Sequence, residues 1–326
     1  DFTCAADPAA VNPGAYDIPN NDIDEDCDDE DATSNSNCDA GIGTQPGDLN
    51  DLARAIDLCN FTDASTNFWG VTDVQLTVAD GSGAPANDSW SVRDGYGNNI
   101  DPRYGDRLVV LSTGTAADRT DNNPGWSAFQ DGTAMGTASD YPQNYGNPAK
   151  APGCKTNTPG MPDPNPAKDS VRLFLEFRAP SNAQSFTADI YFFSAEYPEY
   201  VCSAFNDFFV SIVEPANPLN PNDQNIAIYD NGNGVYPVGV NLVRVAAGLF
   251  TQCENGPTGQ CATADTYNDC VGTAELNGTG YDETGSTTFS CGVDGLHGGA
   301  TGWLTMTGNV FPGEINSIDM VIWDEV

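Results

Sequence analysis

The sequence predicts a mainly β protein: a jelly-roll-like β-sandwich with long loops, one short α-helix, and an irregular N-terminal module stapled by disulfides and metal. Three observations point there. Short runs of alternating apolar and polar residues recur from residue 68 onward, their connections are rich in Gly, Pro and Asn, and a single segment has helical periodicity.

The β candidates are residues 69–78, 107–112, 171–177, 186–193, 208–213, 224–229, 302–306 and 315–323. Alternation with period 2 marks a strand with one face toward a core. The helix candidate is 48–59, where Leu49, Leu52, Ala53, Ile56 and Cys59 recur at helical spacing behind Asp48, a good N-cap. These elements place a β-sandwich domain over 47–326, opening with that helix. No internal repeat is visible. Residues 114–168 read as a long loop.

Charge narrows the partners. The chain has 47 acidic against 11 basic residues, a net charge of −36. Such a field repels nucleic acid and anionic lipid, so neither is expected as a partner. Aspartate dominates the acids and sits beside Gly, Asn and Pro, where turns and calcium loops use it. Calcium is therefore the expected cofactor.

Ten cysteines, Cys4, Cys27, Cys38, Cys59, Cys154, Cys202, Cys253, Cys261, Cys270 and Cys291, form no C-x-x-C pair, and His297 is the one histidine. A zinc finger needs soft ligands at short spacing, so none is expected. An even cysteine count in an acidic chain reads as disulfides made in an oxidising compartment. Cys38 and Cys59 are placed to staple the helix to the acidic module, one pairing among those the ten allow. The sequence begins at Asp1 rather than Met, as a mature exported chain does, and has no apolar run of membrane-spanning length.

Residues 1–38 form an acidic calcium-binding module. Eight carboxylates fall within residues 22–31. Without cations their repulsion opposes order, and bound ions with a short disulfide are the economical remedy. Asp22, Asp24, Asp26 and Asp28 alternate as calcium-loop ligands do, but no Gly or terminal Glu falls where an EF-hand requires it. Cys4, Asp7 and Pro8, then Val11 to Ala15 and Asp17, then Asn21 to Asp28 resemble the MopE-type metal-binding repeat of bacterial surface proteins. Thr3 replaces the Asp that precedes the first cysteine of that repeat, Asp17 replaces its Glu, and Pro19 stands near a usual cysteine. The resemblance adds Asp7 and Asp17 to the ligand set and implies a loop closed by Cys4 and Cys27. With no His or Met ligand beside it, an all-oxygen site suits calcium rather than copper.

A second constellation spans 194–209: Glu196, Tyr197, Pro198, Glu199, Tyr200, then Asn206, Asp207 and Phe208. With Trp69-Gly70-Val71, Leu111 to Thr115, Gly302-Trp303-Leu304, Pro312-Gly313-Glu314 and Ile322-Trp323-Asp324, it resembles the choice-of-anchor L family of bacterial surface β domains. Glu196 and Asp207 would face one another across a Pro-bearing turn, with the Asn206 amide and Asp324 completing a second calcium shell. The aromatic neighbours Tyr197, Tyr200, Phe205 and Phe208 read as core.

No catalytic residue is assigned. His297 lies in a Gly-rich stretch, there is no H-E-x-x-H, and no motif singles out a glycosidase carboxylate pair. The expected function is a calcium-binding, non-enzymatic structural protein of the cell surface or extracellular matrix that assembles with itself as a filament subunit. Family members follow the Ile-Trp-Asp element with a further strand, and its lack after Val326 implies an open sheet edge ready to pair. The alternative is a monomeric calcium-dependent adhesin binding a glycan or surface ligand through exposed Trp90, Tyr96 or Trp126, and a secreted hydrolase is the third reading.

Overall fold

The computed structural model describes residues 11–32, 37–127, 135–142, 167–197, 207–230, 232, 234–244, 248–253, 270–282 and 298–324. In chain order its elements are α1 (Asn50–Arg54), β1 (Gly70–Thr77), β2 (Trp90–Arg93), β3 (Leu108–Leu111), β4 (Ala138–Ser139), β5 (Ala167–Arg178), β6 (Ser185–Ser194), β7 (Phe208–Glu214), β8 (Ile228–Asp230), β9 (Val235–Gly239), β10 (Gly299–Asn309) and β11 (Ile315–Asp324).

The predicted β class holds. A seven-stranded sheet runs β1-β5-β11-β7-β9-β8 with β4 added on β5, and β6–β10 and β2–β3 form two-stranded ribbons. The named pairs are antiparallel. On β5, Leu173 and Leu175 point to one face and Arg172, Phe174 and Glu176 to the other, which is why its sequence alternates. Register places Ile318 beside Leu175 and Met320 beside Leu173 on that same inner face. The β6–β10 ribbon closes over it: Phe192 and Met306 share one buried cluster with Leu173, Leu175 and Ile318, and Phe186 meets Phe177 edge-on at 6.1 Å. This is the two-layer sandwich, with its apolar faces removed from water together.

Toward one end the large sheet is covered on its second face as well. Val210, Ile212, Val321 and Trp323 pack with Ala79 and Ala167, and Tyr141 stands against Trp323 at 5.8 Å. That double burial fixes the strand ends from which Asp207 and Asp324 emerge.

Two expectations need correction. The helix spans Asn50–Arg54, not 48–59, and Leu49 is its N-cap. It stops because Asp57 turns left-handed (φ 67°) while the Leu58 N–H bonds to the Ala53 carbonyl and the Asp57 N–H to the Arg54 carbonyl, a Schellman closure with Asp where Gly is usual. The 224–229 strand shrinks to Ile228–Asp230. Gln224 has φ 57°, and the buried Asn225 side chain accepts the Ser211 and Ala227 N–H groups, taking over ladder bonds that backbone would otherwise make. Strand β11 is interior, paired with β5 on one side and β7 on the other.

Strands β2, β4 and β9 were not foreseen. Arg93 ends β2 buried at 7 % exposure, neutralised by Asp121 at 2.5 Å and by the Ala116 and Pro124 carbonyls, so a charged residue occupies an inward position. Pro237 masks β9, because proline removes a ladder donor and argues against a strand.

Disulfides Cys38–Cys59 and Cys253–Cys270 are formed, and Cys27 is disulfide-bonded too. The first is the pairing that ties the helix to the preceding segment. Cys4, Cys154, Cys202, Cys261 and Cys291 lie outside the described residues.

Candidate metal centres

The first centre is built by the acidic loop. The segment is wound on its own backbone, with Asn20, Asp22, Cys27 and Asp29 at positive φ (60°, 62°, 67° and 83°). Carboxylates replace secondary structure as the acceptors of its N–H groups. Asp17 accepts from Glu25 (3.2 Å) and Ala32 (2.6 Å), and Asp24 accepts from Asp28 (3.1 Å) and Asp29 (3.0 Å). Asp31 accepts from Asp22 (2.8 Å), and the buried Glu25 accepts from Ile18 (2.9 Å) and the Asn21 amide (2.6 Å). Asx-type local bonding of this sort lets short polar chains hold tight turns.

This winding brings Asp24, Asp26 and Asp28 together, one oxygen of each lying within 4.8 Å of the others. Asp26 Oδ1 and Asp31 Oδ1 are buried with no hydrogen-bond partner. Burial, then the charges of Asp28, Asp17 and Asp24, push the Asp26 carboxyl up to about 6. Asp17 is likewise raised, by burial first. Burial alone would raise Glu25, but its bonds from Ile18, Asn21 and Asp17 outweigh it and leave the carboxyl below its usual range. Asp17 therefore braces the loop from outside the triad. Asp22 is exposed at the loop surface and is not among the three, and Asp7 lies outside the described residues.

The loop is anchored to the β domain. Asn12 donates to Ser181 Oγ (2.8 Å), the Ser181 N–H reaches the Gly14 carbonyl (2.8 Å), and Tyr16 and Asn182 exchange two bonds (2.9 and 3.0 Å). Tyr16 packs edge-on against Trp69 at 5.4 Å. At Gly14 a side chain would stand 2.5 Å from the Asn67 carbonyl oxygen, so the close approach needs glycine.

The second centre lies at the end of the large sheet. Register pairs Phe208 with Trp323, so the neighbouring Asp207 and Asp324 leave adjacent strands side by side. Glu196 follows β6 and accepts the Asp207 N–H at 3.1 Å. One oxygen each from Glu196, Asp207 and Asp324 falls within 4.8 Å of the others, and all three are partly buried. Burial raises the Asp324 carboxyl and the Asp169 charge adds to this, against the Asp207 hydrogen bond and Lys168. Burial and then the Asp207 charge raise the hydroxyl of Tyr281, a residue that no motif in the sequence had marked. Tyr197, 1 % exposed, packs on Phe250 at 5.2 Å with its hydroxyl 3.3 Å from Cys270 Sγ. Tyr197 is thus core, as expected. Asn206, Glu199, Tyr200, Phe205 and His297 lie outside the described residues.

Neither triad brings nitrogen or sulfur to its oxygens, a donor set for a hard cation. The predicted aromatic platform is partly overturned. Tyr96 is buried (7 % exposed), donating its hydroxyl to the Ala117 carbonyl, and Trp126 lies under Arg119 at 5.4 Å.

The fold and centres define a disulfide-stapled antiparallel β protein whose acidic side chains gather at a loop and at strand ends. The chain belongs to the choice-of-anchor L domain family, whose model matches residues 70–326. Membership suggests a bacterial surface-associated protein, and the family is not a known enzyme family. No helix among the described residues is long and apolar enough to cross a membrane. Neither the curated proteins nor the solved structures contain a match.

Proposed function

We propose that the protein is a non-enzymatic structural component of the bacterial cell surface that binds calcium at both triads and assembles with copies of itself. The observation carrying the calcium reading is the pair of bare, buried oxygens on Asp26 and Asp31 within a loop whose other carboxylates accept N–H bonds. A buried anionic oxygen without a donor is costly. Calcium at roughly 2.3–2.6 Å from several such oxygens removes that cost and offsets their mutual repulsion. On this reading the 1–38 segment is a MopE-type repeat that acts as an ion-locked clasp on the β5–β6 turn. The second triad clamps β6, β7 and β11 together at one end of the sandwich.

Self-assembly draws support from unfinished edges. Among the described strands, β1 and β8 end the large sheet and β6 and β10 pair with each other; residues 60–62 cover only the start of β1, and Thr251 and Gln252 cover only Ala300 of β10. Exposed edge backbone is a template for another chain.

Chelation tests the calcium reading. Exhaustive EGTA at neutral pH should lower the melting temperature and open residues 22–32 to protease, and calcium, but not magnesium at equal concentration, should restore both. Identical melting and digestion in EGTA and calcium would refute it.

A further inference from the structure

A further pair of carboxylates belongs to neither triad. Asp39 is 2 % exposed. Its Oδ2 accepts the Asp106 N–H at 2.6 Å, and its Oδ1 is buried without a hydrogen-bond partner. Gly105, at φ 63°, lies against this carboxylate, where any side chain would collide with it. The segment carrying Asp39 is held to the end of the helix by the Cys38–Cys59 bond, with 5.6 Å between the two Cα atoms. Asp39 is the residue after Cys38, and Asp57 stands two before Cys59, so one covalent bond holds both acids near each other. The Asp57 carboxyl is raised by burial and then by the Asp39 charge.

Of the arginines nearby in sequence, Arg54 is committed to Asp51 at 2.6 Å, while Arg107 lies 3.8 Å from the exposed Asp94 with its own Nε buried and unpartnered, and neither forms an ion pair with Asp39. A carboxylate oxygen this deep demands a donor or a cation. We propose that Asp39 and Asp57, gathered by the Cys38–Cys59 bond, form a third cation site that takes a small hard divalent ion, with calcium as the probe. Oxygen ligands select such an ion over soft metals. The Tyr16 hydroxyl of the acidic module is raised by burial first and then by the Asp57 charge. An ion here would join the helix end at Asp57 to the 101–107 loop, which Asp39 holds through the Asp106 N–H.

Native mass spectrometry of the full chain in calcium reads the proposal directly, beside Asp39→Asn, Asp57→Asn and the double variant. The expected result is one ion fewer in each single variant and still one fewer, not two, in the double. A folded Asp39→Asn or Asp57→Asn chain that keeps the parent's ion count overturns it. So does a parent that binds no ion. Should the Asp39→Asn chain fail to fold, Asp57→Asn decides, since Asp57 is only partly buried. Asp24→Asn/Asp26→Asn and Asp207→Asn/Asp324→Asn chains, counted in the same way, report on the two triads separately, so either reading can fail alone.

Discussion

Asp57 sits at the position where helices usually end in glycine, with φ 67°. A left-handed residue with a Cβ carries a steric cost of order 1–2 kcal/mol, softened for Asp by its short polar side chain. In EGTA, Asp57→Gly should therefore stabilise the protein by roughly 0.5–1 kcal/mol in urea titration. In calcium the gain should shrink or reverse, because the same substitution removes a carboxylate from the Asp39 site. A gain of equal size in both buffers would mean that Asp57 serves only to end the helix.

Among the elements, β5 and β11 illustrate how a charged pair is held inside a sheet. Arg172 and Asp319 meet across these two central strands, on the face opposite the sandwich core, with side chains 15 % and 18 % exposed. Arg172 also lies over the Phe174 ring at 4.6 Å. Burial raises the Asp319 carboxyl, and the guanidinium beside it works against that rise. Arg172→Ala would leave the carboxylate buried and alone. For a fully buried pair the cost is about 3–5 kcal/mol, and partial exposure reduces the expectation here to about 2–3 kcal/mol. The sign of its pH dependence follows from linkage. A carboxyl raised in the folded state favours folding below its unfolded pKa and loses that contribution as pH rises through the folded value. Without Arg172 the folded value climbs further, so the variant's deficit should be largest near pH 7 and narrow toward pH 5 in paired denaturation curves. A deficit constant across that range would assign the loss to packing on Phe174 instead.

For the whole molecule, a charge of −36 makes association between copies a matter of counterions. Like-charged surfaces repel over about a Debye length, roughly 8 Å at physiological salt, and bound calcium lowers the charge of the surfaces that must meet. Light scattering behind size exclusion should accordingly find assemblies in calcium that fall apart in EGTA. A chain of about 34 kDa in both buffers would leave calcium as an internal stabiliser and favour the monomeric adhesin. On that reading the contact surface would be sought around Trp303, which lies beside Arg103 at 5.9 Å on the outward side of the β6–β10 ribbon.

Local physics made much of this legible in the sequence. Alternation identified β1, β5, β6, β7 and β11 because the side-chain period of a strand is a property of the strand itself. The density of Asp around 22–31 marked the loop in which Asp24, Asp26 and Asp28 gather, because the crowding of neighbouring carboxylates depends only on their spacing. Other features depended on groups far apart in the chain. The helix was cut short by a left-handed residue that periodicity does not encode, and β2 and β9 were hidden by an arginine and a proline whose compensation comes from elsewhere in the fold. Asp31, Asp39 and Tyr281 were missed for the same reason, since their significance lies in burial and in neighbours supplied by other segments. Glu196, Asp207 and Asp324 could be nominated by type, yet 128 positions separate the first from the last. What joins them is the register of β7 on β11 and the return of β6 above it, and register is set by the two packed faces of the sheet rather than by any local run of residues.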